Sequence, residues 1–156
     1  MIDEQGLRPN VGMILVNRMK KVFIGKRFHH KSWQFPQGGV DDGETPIEAL
    51  YRELYEEVGL KPQQVKLIDA TPEWLPYYLP EKFIRKAKPR CIGQKQKWFL
   101  LELTGKISDI NLRLSKKPEF DSWRWIEHTE PAKMVIDFKQ EVYQNAFDYF
   151  KKYFES

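Results

Sequence analysis

The stretch that decides the reading is "GGVDDGETPIEALYRELYEEVGL", residues 38–60. Between Asp41 and Glu57 it carries seven acidic residues against one arginine. Its middle reads as a helix. Thr45 is the predicted N-cap, Pro46 the first helical residue, where its missing N–H costs no hydrogen bond, and Glu48 the reciprocal partner of a capping box. Gly59 supplies the stop. Ile47, Leu50, Leu54 and Val58 recur at steps of three and four, a single apolar stripe expected to face a core. At about 100° per residue, Glu53, Glu56 and Glu57 fall within roughly a 100° arc beside that stripe. Three carboxylates therefore share one flank.

Like charges at helical spacing repel and raise one another's pKa unless a cation sits among them. A solvated acidic face is one reading of ExxEE alone. The other is a site for hard divalent cations such as Mg²⁺ or Mn²⁺, which take carboxylate and water oxygens and are often shared with substrate phosphates.

Outward from this helix, "VGMILVN" (11–17) and "KVFIGKRF" (21–28) read as a pair of strands. "VKLIDAT" (65–71), "QKWFLLELTG" (96–105) and "SWRWIEH" (122–128) are further strands. Val135, Phe138, Val142, Ala146, Tyr149 and Tyr153, with a second stripe of Tyr143, Phe147, Phe150 and Phe154, predict one long helix packed on the sheet. The segment Pro72 to Gly93, with four prolines and much charge, reads as a long surface loop.

At 156 residues, 41% hydrophobic and 14% aromatic, the chain fits one domain spanning 1–156 with its own core. One cysteine, Cys91, excludes an internal disulfide and is expected to be buried. No apolar run suggests a signal peptide or membrane span, so a reducing cytoplasm is the expected location. His29, His30 and His128 lack zinc-site spacing. The net charge of +4 conceals a segregation: residues 72–97 hold seven lysines and arginines against two glutamates. An acidic centre beside a basic rim suits a metal-dependent enzyme acting on a polyanion, though two ordinary solvated faces give the same statistics.

The stretch 38–60 also matches the pattern Gx₅Ex₇REUxEExGU, with U a bulky aliphatic, at Gly38, Glu44, Arg52, Glu53, Leu54, Glu56, Glu57, Gly59 and Leu60. It resembles the Nudix box. "RPNVG" (8–12), "SWQFPQGG" (32–39), "CIGQKQKWFLL" (91–101), "PEFDSWRW" (118–125) and "DFKQEVY" (137–143) extend the resemblance to the bacterial RNA pyrophosphohydrolase branch, which is related to the asymmetric dinucleoside tetraphosphate hydrolases. The resemblance implies an α/β/α sandwich with a mixed sheet and the box as a loop–helix–loop. It implies Glu53, Glu56 and Glu57 as metal ligands, with the Gly38 carbonyl and Glu119 joining them. Arg52 is to orient the glutamates, and Glu44 to hold the box loop. The implied chemistry is metal-assisted phosphoanhydride hydrolysis with Glu57 or Glu53 as proton acceptor.

The implied substrate is 5′-triphosphorylated RNA, linking the chain to mRNA decay, with a dinucleoside polyphosphate as the alternative; a non-catalytic nucleotide-sensing module is a remote third. Arg8, Arg27 and Lys97 are the candidate phosphate contacts, or else ordinary surface charge. Tyr77 and Phe138 are the candidates for base stacking; Phe138 also lies on the apolar stripe and suits core packing. Gln94 and Lys139 are candidates for phosphate or base. No DNA or membrane partner is expected. A monomer is, with any activating protein partner left open.

Overall fold

The run "MILV" has no polar alternation because strand β1 (Leu7–Val16) is covered on both faces, with every residue from Pro9 to Val16 buried. The computed structural model describes residues 2–86 and 90–156; Lys88 and Pro89, counted in the basic stretch above, lie outside the described residues. β1 runs parallel to β7 (Gly93–Leu103), from Leu7 opposite Gly93 to Val16 opposite Glu102. Around this central pair the sheet is mixed. β2 (Val22–Arg27) pairs with β3 (Trp33–Gln34) and β8 (Phe120–Ile126), β4 (Gln37–Gly39) with β1, and β5 (Val65–Ala70) and β6 (Leu75–Tyr78) with β7.

Alternation along the two central strands sends side chains to opposite layers. Val11, Met13, Leu15, Phe99 and Leu101 face α1 (Pro46–Val58), meeting Leu50, Leu54 and Val58. Ile14, Val16, Trp98 and Leu100 face α3 (Asp137–Tyr149), meeting Val142, Tyr143, Ala146 and Phe147. The result is the α/β/α sandwich that the sequence resemblance implies.

Several expectations are corrected. The segments 11–17 and 21–28 are strands that pair as expected, antiparallel, but their register is confined to Val16–Val22 at the turn, because β1 is otherwise occupied by β7 and β4 and β2 by β8 and β3. The proline-rich segment contains β6, whose Pro76 is tolerated because β6 pairs with β7 alone among the described residues. The C-terminal helix is three pieces: α2 (Pro131–Met134), α3 and α4 (Lys151–Glu155). Val135 and Ile136 are extended and separate the first two. A turn at buried Phe150 separates the last two, where Tyr149 points outward at 46% exposure, against the predicted stripe. That turn sets Phe154 flat on His128, ring centroids 4.6 Å apart, while the Lys20 ammonium donates to the carbonyls of Tyr153 and Ser156. Cys91 is half-buried rather than buried, its thiol donating to the Gly93 carbonyl.

The α1 boundaries are those the sequence predicts. The Thr45 hydroxyl accepts from the Glu48 N–H at 3.2 Å, and the Glu48 carboxylate accepts from the Thr45 N–H at 2.9 Å. Ile47 is the exception, 42% exposed in the first turn, with Ala49 buried in its place. Gly59 ends the helix at φ 80°, and a Cβ there would lie 2.5 Å from the Asn111 carbonyl oxygen. Gly59→Ala is therefore expected to destabilise the fold by about 2 kcal/mol or more, combining left-handed strain with a backbone clash. A urea midpoint equal to that of the parent chain would contradict this.

Candidate active site

The site starts from one helical turn. Glu53 and Glu57 face the layer between α1 and the β4 segment, with Glu57 7% and the Glu53 side chain 13% exposed. Gly38 makes this possible: a Cβ on it would overlap the Glu53 carboxyl group. The Gln37 N–H donates to one Glu57 oxygen at 3.2 Å, while the other, Oε1, is buried without a hydrogen-bond partner. Burial is the main cause that raises the pKa of both carboxyls, with their mutual repulsion adding to it at Glu57, whose pKa is also raised by Glu119. They titrate as a pair rather than as separate groups.

Arg52 holds the loop against the helix. Its Nε and Nη2 fork onto Glu44 at 2.8 and 2.9 Å, Nη2 also donates to the Gly39 carbonyl at 2.7 Å, and Nη1 donates to Glu53 at 2.6 Å. A planar guanidinium can satisfy all of these at once; an ammonium cannot. Glu44 accepts from the Asp41 N–H as well, which ties the loop down. Glu56 is the most exposed of the three box glutamates, at 49%, and its carboxylate is 3.4 Å from Arg52 Nη1. Among the described residues no three His, Cys, Asp or Glu side chains gather around one point. Joining Glu53 and Glu57 around an ion requires Glu56 to turn away from Arg52.

This donor set fits a hard divalent cation. It offers only oxygens, includes an orphaned buried carboxylate oxygen, and has space kept clear by a glycine. Mg²⁺ is ordinarily held by one or two carboxylates with water and substrate phosphates completing the shell.

A second polar chain runs behind the pair, toward the α3 layer. Lys139, 8% exposed, donates to Gln34 Oε1 at 3.3 Å, and Gln34 Nε2 donates to Glu119 at 3.2 Å. Arg27 Nε stands 3.6 Å from the same Glu119 oxygen and has no hydrogen-bond partner. Burial, then the positive charge of Arg27, lowers the Lys139 pKa to about 8. On β4, the Gln37 side chain accepts from Gln96 Nε2 at 3.3 Å, which also donates to Asn10 at 2.9 Å.

Of the seven candidate substrate contacts, Arg27 and Lys139 meet around Gln34 and Glu119. Arg8, Gln94 and Tyr77 are lateral neighbours on three adjacent strands, with Arg8 exposed and Gln94 Oε1 buried and unpartnered. Tyr77 is not an open stacking platform: at 6% exposure it lies against Phe138, centroids 5.9 Å apart, with Lys139 over its ring. Phe138 is partly buried and packs in turn on Phe83, which is 48% exposed. Lys97 does not join them. It points to the other face of β7, donates to the Pro72 carbonyl at 3.0 Å and sits over Trp74. Gln34, Gln37 and Phe83 were not singled out from the sequence. The first two lie in "SWQFPQGG", whose two glutamines flank a buried Phe-Pro step, a signal that polar side chains are held beside the box.

With this geometry in view, the chain can be set beside known proteins. Residues 6–146 match the NUDIX domain family model, and the chain belongs to that family. It is 54% identical over 153 residues to an RNA pyrophosphohydrolase of Francisella philomiragia subsp. philomiragia, covering 98% of this chain and 99% of that one. An RNA pyrophosphohydrolase of Francisella tularensis subsp. tularensis is 52% identical over the same length and coverage. The fold is shared with a C. elegans Ap4A hydrolase (TM-score 0.65, 20% identity, covering 94% and 98% of the two chains). It is shared also with the E. coli dihydroneopterin triphosphate pyrophosphohydrolase (TM-score 0.67, 21% identity, 88% and 95%).

Two predictions follow from the carboxylate pair and its clamp. In Gly38→Ala the added methyl displaces Glu53, and a shift of about 1 Å is expected to cost on the order of 100-fold in kcat/KM, with the far-UV CD spectrum retained. Undiminished turnover would mean that Glu53 has room to retreat. The second concerns pH. The Arg52 fork lowers the Glu44 pKa to about 2, below its unfolded value near 4.5. A depressed carboxyl stabilises the fold fully above the unfolded pKa and loses that contribution as pH falls through the folded one. The stability gap between the parent chain and Glu44→Gln should thus be constant above about pH 5 and narrow from there to about pH 2. A gap independent of pH over that window would remove the ionic role of Glu44.

Proposed function

We propose that the chain is an RNA 5′-pyrophosphohydrolase, converting a 5′-triphosphorylated end to a 5′-monophosphate. The observation that carries this reading is the adjacency of the buried Glu53–Glu57 pair to a cationic wall of Arg27 and Lys139, in a chain more than half identical to RNA pyrophosphohydrolases along nearly its whole length. A triphosphate laid between them would have its charge met by Arg27 and Lys139 on one side and, on the other, by divalent ions that the carboxylates would hold.

Glu53 and Glu57, with Glu56 once released from Arg52, the Gly38 carbonyl and Glu119, are the residues to hold divalent ions, Mg²⁺ in preference to Mn²⁺. When bound, such ions neutralise phosphate charge and make water a better nucleophile. The chain's own residues do the rest. Arg52 fixes Glu53 in place, and the Gln37 N–H fixes one Glu57 oxygen, leaving the other free for a ligand or a proton. Arg27 and Lys139 draw the phosphates toward the pair, and Phe138 with Phe83 offers the partly open aromatic surface for a base. Arg8 and Gln94 extend the polar lining along the sheet.

The second reading is a dinucleoside polyphosphate hydrolase, because the Phe138–Phe83 surface accepts an adenine as readily as an RNA base. Turnover with Mg²⁺ of a 5′-triphosphorylated RNA and of diadenosine tetraphosphate, side by side at matched low concentration, separates the two. The expected outcome is a kcat/KM for RNA at least about tenfold higher, with a monophosphorylated 5′ end as product. Preference for the dinucleotide would keep the site chemistry and overturn the RNA assignment.

A further inference from the structure

A cleft of about 390 Å³ opens directly beside the carboxylates, between the β2–β3 turn and the segment leading into β8. Arg27, Phe28, His29, His30 and Lys117 line it, together with Glu119 at its inner end. Its walls are fixed by backbone. The Phe28 N–H donates to the Glu119 carbonyl at 2.8 Å, the Arg27 N–H to the Ser32 carbonyl at 3.0 Å, and His29 turns the chain at φ 63°, a left-handed conformation uncommon outside glycine. The register between β2 and β8 shifts at Lys26–Arg27. Bulges of this kind re-aim side chains, and this one stands where Arg27 turns to Glu119.

The chemistry of the lining selects an anion. Residues 27–31 and 113–119 hold five lysines and arginines and a single acid, Glu119. That acid faces Arg27 and Gln34 at the reaction-site end. His29, His30 and Lys117 are exposed and stay so along the rest of the cleft. Imidazole and ammonium donors suit phosphate oxygens, a neutral imidazole still offering one N–H. Phe28, with the Arg113 guanidinium 5.4 Å from its ring centre, adds a flat face flanked by positive charge. A basic groove with an aromatic ring in its wall is the kind of surface that tracks a single nucleic-acid strand without reading its sequence.

We propose that this cleft binds the phosphodiester backbone of single-stranded RNA just downstream of the 5′ end, as a subsite separate from the one that takes the terminal phosphates. The inference rests on the RNA reading above and extends it: the cleft makes the enzyme sensitive to the length of its substrate. Arg27 and Glu119, common to both places, put the exit of the strand next to the reacting phosphates.

The test uses the full chain and the double variant His30→Ala/Lys117→Ala, both side chains being exposed and outside the carboxylate site. The kcat/KM is measured for a 5′-triphosphorylated dinucleotide and for an octanucleotide with the same 5′ end. The parent chain is expected to favour the octanucleotide. The variant should lose about tenfold on the octanucleotide and nothing on the dinucleotide, and its log–log salt slope on the longer RNA should flatten by about 0.7 for each phosphate contact removed. Equal losses on both substrates, or an unchanged octanucleotide rate, would overturn the subsite. If the parent chain hydrolyses both RNAs equally well, the RNA reading stands and the cleft assignment falls; if it hydrolyses neither, the RNA reading itself fails.

Discussion

Two carboxylates one helical turn apart, Glu53 and Glu57, are kept out of water, where burial raises the pKa of both and the charge of Glu53 raises that of Glu57 further. An isolated protein gains nothing from this arrangement, since removing ionised groups from water costs several kcal/mol each unless something compensates. The surrounding structure supplies part of that compensation. Arg52 meets Glu53 at 2.6 Å and the Gln37 N–H meets Glu57 at 3.2 Å. The remaining Glu57 oxygen has no hydrogen-bond partner among the described residues. A buried polar network left one bond short is strained toward whatever completes it, and an oxygen-seeking cation is the partner that two adjacent carboxylates select.

The clamp also explains why the loop before α1 can carry so much negative charge. Arg52 is the hub of Glu44, Glu53, Glu56 and the Gly39 carbonyl, with Asp41 at 3.5 Å. The guanidinium depresses Glu44, whereas at Glu53 burial outweighs the same guanidinium and at Glu57 burial raises the carboxyl unopposed by it. The sequence pattern REUxEE places that guanidinium immediately before the carboxylates, where it reaches both the loop through Glu44 and the helix through Glu53.

What the sequence made legible was local. The α1 caps, the buried positions Leu50, Leu54 and Val58, and the clustering of Glu53 with Glu57 all follow from spacing within one helix. Errors came where tertiary partners decide. The segments 11–17 and 21–28 carry strand propensity, but nothing in them records that β7, more than seventy residues later, takes β1 as its parallel neighbour. Lys97 and Gln94 differ by three positions on one strand, which puts them on opposite faces; the loop containing Trp74 then draws Lys97 away. Tyr149 fits the helical period but falls next to Phe150, where the helix turns to seat Phe154 against His128. The burial of Lys139 was equally invisible, because a lysine in "DFKQ" reads as solvated until Gln34 is found beneath it.

The two halves of the site lie on opposite faces of the sheet, and the β4 segment joins them. Gln37 bonds Glu57 through its backbone on the α1 side and Gln96 through its side chain on the α3 side. The strand is three residues long, and its Gly38 leaves the Glu53 carboxylate room. A displacement of β4 would therefore shift the Glu57 contact and the Gln96 contact together. The cationic side is held separately, by Lys139 on Gln34 and by Arg27 beside Glu119, so the placement of the two sides relative to each other depends on these side-chain contacts as well as on the β4 backbone.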